Sequence, residues 1–214
     1  MIENDPILPP GVKWKELLNS LRYLSWGASD ILRAYANAEQ PPFGFPRALS
    51  IEDGGDGPVT AADIAVNTWL IDGLGERFPN APWFLISEEN FKDPFSNRST
   101  NRENWFWILD PLDGTKDFIQ GTSDYAVHLA LIKEHVPILG VVLIPALEEL
   151  WFGVIDKGAW CEKRNGEIHA PKLSNRKNIE DLILVASRNH RDKRLEDLIT
   201  FLNISEQKSV GSVG

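Results

Sequence analysis

The sequence predicts an α+β fold built in layers, on three observations. Two amphipathic stretches lie near the start of the chain, a series of short apolar runs separated by Gly, Pro or charged turns follows them, and a further apolar run precedes a last helical pattern. Over residues 13–36, Trp14, Leu17, Leu18, Leu21, Leu24, Ala28, Ile31, Leu32 and Tyr35 recur mostly at three- and four-residue steps, and Pro41 and Pro42 end the pattern. Residues 41–58 are rich in Gly, Pro and Asp without periodicity, which predicts a long exposed loop. A second helix is expected from Thr60, because Thr60-Ala-Ala-Asp63 has capping-box spacing and Ile64, Thr68, Ile71, Leu74 and Phe78 follow on one face.

Strands are predicted over residues 83–87, 105–110, 125–133, 138–144, 149–155 and 159–162. In the third of these, Ala126, His128, Ala130 and Ile132 alternate with Tyr125, Val127, Leu129 and Leu131, as expected of a sheet with helices on one side and more structure on the other. A polar stretch over 172–181 then leads to a strand over 182–187 and a short helix over 195–202. These read as the opening of a second unit, dividing the chain into an N-terminal α+β domain over 1–175 and an incomplete C-terminal α/β domain over 176–214. The run 209–214 is read only as small residues ending in Gly.

Composition narrows the function. With 43% hydrophobic and 25% charged residues among 214, the chain has the proportions of a soluble globular protein. No apolar run approaches the roughly 18 residues of a membrane helix, and MIENDPILPP lacks the basic and apolar regions of a signal peptide, so a cytoplasmic location is expected. The 31 acidic residues against 22 basic ones give a net charge of −9, which argues against a nucleic-acid polymer or an anionic membrane as partner. Cys161 is the single cysteine, and the four histidines, His128, His135, His169 and His190, have no short ligand spacing. A chain of this charge that handles small anions needs a metal to mediate, and that metal should be held by oxygen.

The chemistry concentrates at Asp110-Pro-Leu-Asp-Gly-Thr115. An apolar strand delivers Asp110 at its end, Pro111 is expected to force a turn, and Asp113 returns three residues later, so that both carboxylates and the Leu112 carbonyl converge. Gly114 and Thr115 follow, and a chain turning into a helix there aims backbone N–H groups at an anion. Two carboxylates beside an anion-binding turn point to a divalent-cation phosphate site. Read alone, Asp-Pro and Asp-Gly are equally turn signals. What favours chemistry is Ser87-Glu88-Glu89, a second acidic pair at the end of a short apolar strand. Asp63 is by spacing a capping residue, a role compatible with holding a catalytic Thr or water.

Together, Pro58-Val-Thr-Ala-Ala-Asp63, Glu88-Glu89 and Asp110-Pro-Leu-Asp-Gly-Thr115 resemble the inositol monophosphatase superfamily, magnesium-dependent and lithium-sensitive phosphomonoesterases, over a span from about Leu17 to the C-terminus. The resemblance implies the α/β sandwich of the inositol monophosphatase and fructose-1,6-bisphosphatase type. Thr115-Lys-Asp-Phe-Ile119, Pro137-Ile-Leu-Gly-Val-Val142 and Ala186-Ser-Arg-Asn-His190 are similar to the CysQ-type 3′(2′),5′-bisphosphate nucleotidases in particular. It implies that Glu88, Asp110, the Leu112 carbonyl and Asp113 bind Mg2+, with Asp110 bridging two ions, and that Thr115, oriented by Asp63, deprotonates the attacking water. The Gly114 and Thr115 amides would hold the phosphate, and Ser187, Arg188 and His190 would contact the nucleotide.

The substrate expected is a small phosphorylated molecule, a bisphosphate nucleotide or alternatively an inositol phosphate, and a homodimer is compatible with it. The chain departs from the family pattern at Asp53-Gly-Gly-Asp56, where a lysine is usual, and reaches Gly214 before a Trp-Asp-x-Ala-Ala motif whose Asp serves the second metal. The expectation that follows is a weakly active or inactive 214-residue chain, and the reading of a different class is a non-catalytic remnant of the family.

Overall fold

Helix α1 (Trp14–Ala36) lies where the apolar spacing predicts it, and its buried Leu17, Leu21, Leu24, Ala28, Ile31 and Leu32 are the residues of that spacing. The computed structural model describes residues 6–48, 50–53, 58–90, 105–187, 192–204 and 206–211. The expected loop over 41–58 is not wholly irregular. Within it β1 (Ile51–Asp53) pairs antiparallel with β2 (Pro58–Thr60), a contact between short segments that carries no local periodicity. The Gly-rich residues between them, including Asp56, lie outside the described residues. Helix α2 (Ala61–Arg77) follows directly, with Thr60 as its N-cap and Asp63 closing the capping box.

The main sheet has seven strands in the order of the sequence: β3 (Phe84–Ser87), β4 (Trp105–Asp113), β5 (Ala126–Lys133), β6 (Val136–Ile144), β7 (Glu149–Val154), β8 (Gly158–Lys163) and β9 (Ile168–His169). β3 and β4 run parallel, and every later neighbour is antiparallel. One face, with Trp107, Leu109, Leu129, Leu131, Leu139, Val141 and Phe152, forms a continuous buried cluster with the apolar faces of α1 and α2. The other face, with Ile108 and Ala130, is only partly covered by the described residues, Ile108 being 46% exposed. The further layer expected there is therefore incomplete among them.

Pro111 does not turn the chain as expected. β4 continues through it to Asp113, and the register with β5 slips between the pairs Asp110↔His128 and Asp113↔Ala126. Pro111 and Leu112 thus stand opposite one residue of β5, a bulge, where a proline's missing N–H leaves no ladder bond unmade. The short helix α3 (Thr115–Ile119) starts immediately after, beyond Gly114, whose φ of 86° is the left-handed conformation that glycine adopts without strain.

A separate βαβ unit closes the described chain: β10 (Ile183–Ser187), α4 (Lys193–Leu202) and β11 (Glu206–Val210), with the two strands parallel. β11 begins before the small-residue run and was not expected, since Glu206-Gln-Lys has no apolar alternation. Its end is fastened to the main sheet's side of the molecule, where the Gly211 amide donates to Asp124 Oδ2 at 2.9 Å. No helix among the described residues is long and apolar enough to cross a membrane.

The α1–α2 crossing depends on Gly27. A Cβ there would stand 2.5 Å from the Trp69 ring, and that ring is pinned because its Nε1 donates to the Leu24 carbonyl at 2.8 Å. Gly27→Ala should destabilise the fold by overpacking, by about 1–3 kcal/mol, and lower the melting temperature accordingly. Gly75→Ala, also in α2 but facing open space, should not. Thermal melts of the two variants check this, and equal melting temperatures would refute the close-approach account.

Candidate active site

Parallel pairing of β3 with β4 sets Ser87 level with Leu109, so Glu88, one residue further, comes beside Asp110. Asp113 is returned to the same end of β4 by the bulge. The structure thereby brings Glu88, Asp110 and Asp113 into one electrostatic environment. Burial first, then the negative charges of Glu88 and Asp113, push the Asp110 carboxyl up to about 7, while His128 and the Leu112 amide pull it down. That amide donates to Asp110 Oδ1 at 3.1 Å, bracing the bulge between the two acids. Among the described residues no three His, Cys, Asp or Glu side chains close into a ready-made cage.

Asp63 divides its two oxygens between the fold and the site. Oδ2 accepts from the Thr60 amide at 2.8 Å and the Thr60 hydroxyl at 2.5 Å, as a capping residue does, whereas Oδ1 lies 3.3 Å from the Thr115 hydroxyl. The same Thr115 Oγ1 lies 2.9 Å from the Leu112 carbonyl, so its single proton has two acceptors within reach. Asp63 is 3% exposed, and burial raises its pKa against the opposing hydrogen bonds from Thr60 and Thr115. One side chain thus caps α2 and also contacts Thr115.

Gly114 is buried, and α3 opens with Thr115 directly beyond the acids, so the first amides of this helix sit beside them. Ser187 ends β10 opposite Val210, on the two-stranded sheet rather than the one that carries the acids. Arg188 and His190 lie outside the described residues. Sequence reasoning missed His128 as a neighbour of the site. Its ring stands across from Asp110 in the β4–β5 register, with Nε2 3.5 Å from Asp113 Oδ2. That is an electrostatic approach longer than an ordinary hydrogen bond, and Nε2 is buried with no hydrogen-bond partner. The Asp113 carboxylate raises the imidazole pKa against the effect of burial. The signal that could have found it is its place on the less buried face of β5.

The family model described as "Inositol monophosphatase family" matches residues 14–214. The chain belongs to the inositol monophosphatase family. Among curated members of this family, it is 36% identical over 199 residues to the 3′(2′),5′-bisphosphate nucleotidase CysQ of Salmonella typhimurium, covering 92% of this chain and 73% of that protein. The Shigella flexneri CysQ is 38% identical over 157 residues, covering 72% of this chain, and the chain spans 59% of that relative's length. Among solved structures, CysQ from Bacteroides thetaiotaomicron superposes with a TM-score of 0.63 at 23% identity, covering 93% of this chain and 73% of that one. The α+β architecture is accordingly that of the family.

The raised Asp110 pKa has a signed consequence. Because the folded, metal-free protein binds this proton more tightly than the unfolded chain, the stability it contributes is present at low pH and is lost as pH rises through about 7. Melts in chelator from about pH 5 to about pH 8 should show wild type losing stability relative to Asp110→Asn, and parallel profiles would contradict it.

Proposed function

We propose that this chain is a magnesium-dependent phosphomonoesterase that hydrolyses the 3′-phosphate of 3′-phosphoadenosine 5′-phosphate. The observation that carries the reading is the Thr115 hydroxyl, within reach of both Asp63 Oδ1 and the Leu112 carbonyl, beside a crowded set of carboxylates. The CysQ relatives support the choice of a nucleoside bisphosphate as substrate. A cytoplasmic location and a homodimer belong to the same reading.

The donor set fits magnesium. Glu88, Asp110, Asp113 and the Leu112 carbonyl offer oxygen only, and the charges of Glu88 and Asp113, which add to burial in pushing Asp110 up to about 7, are what a divalent cation relieves. The absence of a closed protein cage is no obstacle, because magnesium keeps several waters and takes substrate phosphate as a ligand. The chemistry such an ion supplies is neutralisation of phosphate charge, activation of the attacking water and stabilisation of the leaving oxygen.

The chain's own residues supply position and proton transfer. Thr115 Oγ1, giving its proton to Asp63 Oδ1, presents lone pairs to the attacking water and accepts that water's proton as the new oxygen–phosphorus bond forms. Burial of Asp63 makes it a better proton acceptor than an exposed aspartate. The amides of Gly114 and Thr115 hold the phosphate oxygens, as the first turn of a helix does. The ester bond to the ribose 3′-oxygen breaks, and that oxygen leaves as an alcohol after taking up a proton.

A substrate panel with released phosphate as readout tests this. With Mg2+, kcat/KM should be at least about tenfold higher for 3′-phosphoadenosine 5′-phosphate than for inositol 1-phosphate, a discrimination of ~1.4 kcal/mol, and Li+ should inhibit. Thr115→Ala should lower kcat by about a hundredfold or more while leaving cation affinity intact. The reverse substrate order would favour an inositol monophosphatase, and no release from either substrate would favour the non-catalytic reading.

A further inference from the structure

We propose that His128 is a positioning residue of the metal site, holding the Asp113 carboxylate in place from the neighbouring strand through its Nε2–H. The inference rests on the metal-site reading above and adds to it a residue that none of the sequence motifs contains. Three observations carry it. The β4–β5 register sets His128 directly opposite Asp110, so its ring and the Asp110 side chain project from the same sheet face. The Nε2 atom lies 3.5 Å from Asp113 Oδ2. That nitrogen is buried and has no hydrogen-bond partner, a costly arrangement for a polar atom unless it is completed.

The backbone places the two groups together. The register slip at Pro111 and Leu112 lets Asp113, paired with Ala126, face the same side of the sheet as Asp110 and His128. A donor standing on strand β5 therefore reaches this carboxylate from the side. A shift of roughly 0.5 Å brings Nε2 and Oδ2 to ordinary hydrogen-bond length, and a carboxylate so held offers its other oxygen in one direction. Partners of this kind, one step removed from the ion, orient carboxylates in metal sites and typically govern affinity by about 10–100-fold.

Three substitutions test this on the whole chain, with Mg2+ and Mn2+ affinity read by calorimetry and the Mn2+ environment by electron paramagnetic resonance. His128→Leu removes the donor at similar volume and should weaken both ions by about 10–100-fold. His128→Asn keeps polarity but falls short of the Nε2 position, and should behave like His128→Leu even if the latter folds poorly. His128→Gln reaches the Nε2 position with an amide N–H, and should restore affinity to within a few-fold of wild type together with the wild-type Mn2+ spectrum.

Wild-type affinity in both the Leu and Asn variants, or failure of Gln to restore it, overturns the proposal. So does a loss confined to Mn2+ with Mg2+ unchanged, which would make the imidazole a direct ligand of the softer ion. Asp110→Asn separates this from the underlying reading: if it too binds like wild type, the metal site itself is misassigned. If it loses affinity while the His128 variants do not, only the role of His128 fails.

Discussion

Carboxylates gathered at one end of β4 repel one another, and much of the surrounding structure serves to hold them there. The repulsion is visible in Asp110, whose carboxyl is pushed up to about 7 by burial and by Glu88 and Asp113. A flexible chain would let these groups drift apart. Here they are set by elements that have little freedom: β3 is registered in parallel on β4, and β4 itself contributes Trp107 and Leu109 to the helix-backed core. The bulge at Pro111 brings Asp113 back toward the same strand end. Hydrophobic burial of α1 and α2 against this sheet thus offsets an electrostatic cost incurred at its edge.

Asp63 shows the same economy in a single side chain. Its Oδ2 caps α2 through Thr60, so helix stability and orientation of the carboxylate are one requirement, and its Oδ1 remains to face Thr115. Replacing it would affect both the helix start and the hydroxyl, which is why a change in activity at this position has to be read beside a melting curve. Thr115 opens α3 directly beyond β4, and Asp63 lies in the first turn of α2. Their contact therefore ties the helical layer to the acidic end of the sheet.

The parts of this arrangement legible in the sequence are those that local periodicity or spacing encodes. α1 could be read from its three- and four-residue apolar steps, and the start of α2 from the Thr60–Asp63 spacing. β1 and β2 could not, because three-residue strands have no period to detect. β11 escaped for a related reason, being polar along most of its length and defined only by its pairing with β10. Pro111 was misread as a turn because this proline is accommodated inside its strand by a slip in the partner's register, and register is a property of two strands. The site acids and Thr115 stood out through their pattern and its resemblance to a family. His128 did not, since only the β4–β5 pairing sets it opposite Asp110, eighteen residues away in sequence.

An acidic chain acting on an anionic substrate has to solve a problem of charge, and the site suggests the order in which it is solved. The net charge of −9 repels a bisphosphate at long range, and the crowded carboxylates repel it at short range. In the proposed function the cation and the phosphate are therefore each other's condition. The acids alone leave the ion's shell open, and the substrate phosphate is an oxygen donor able to complete it. By linkage, whatever raises cation affinity when phosphate is present raises phosphate affinity by the same factor when the cation is present. In the proposed role His128, which touches neither, acts on both by fixing the direction of one carboxylate, and a neighbouring strand without a ligand of its own would thereby join the site.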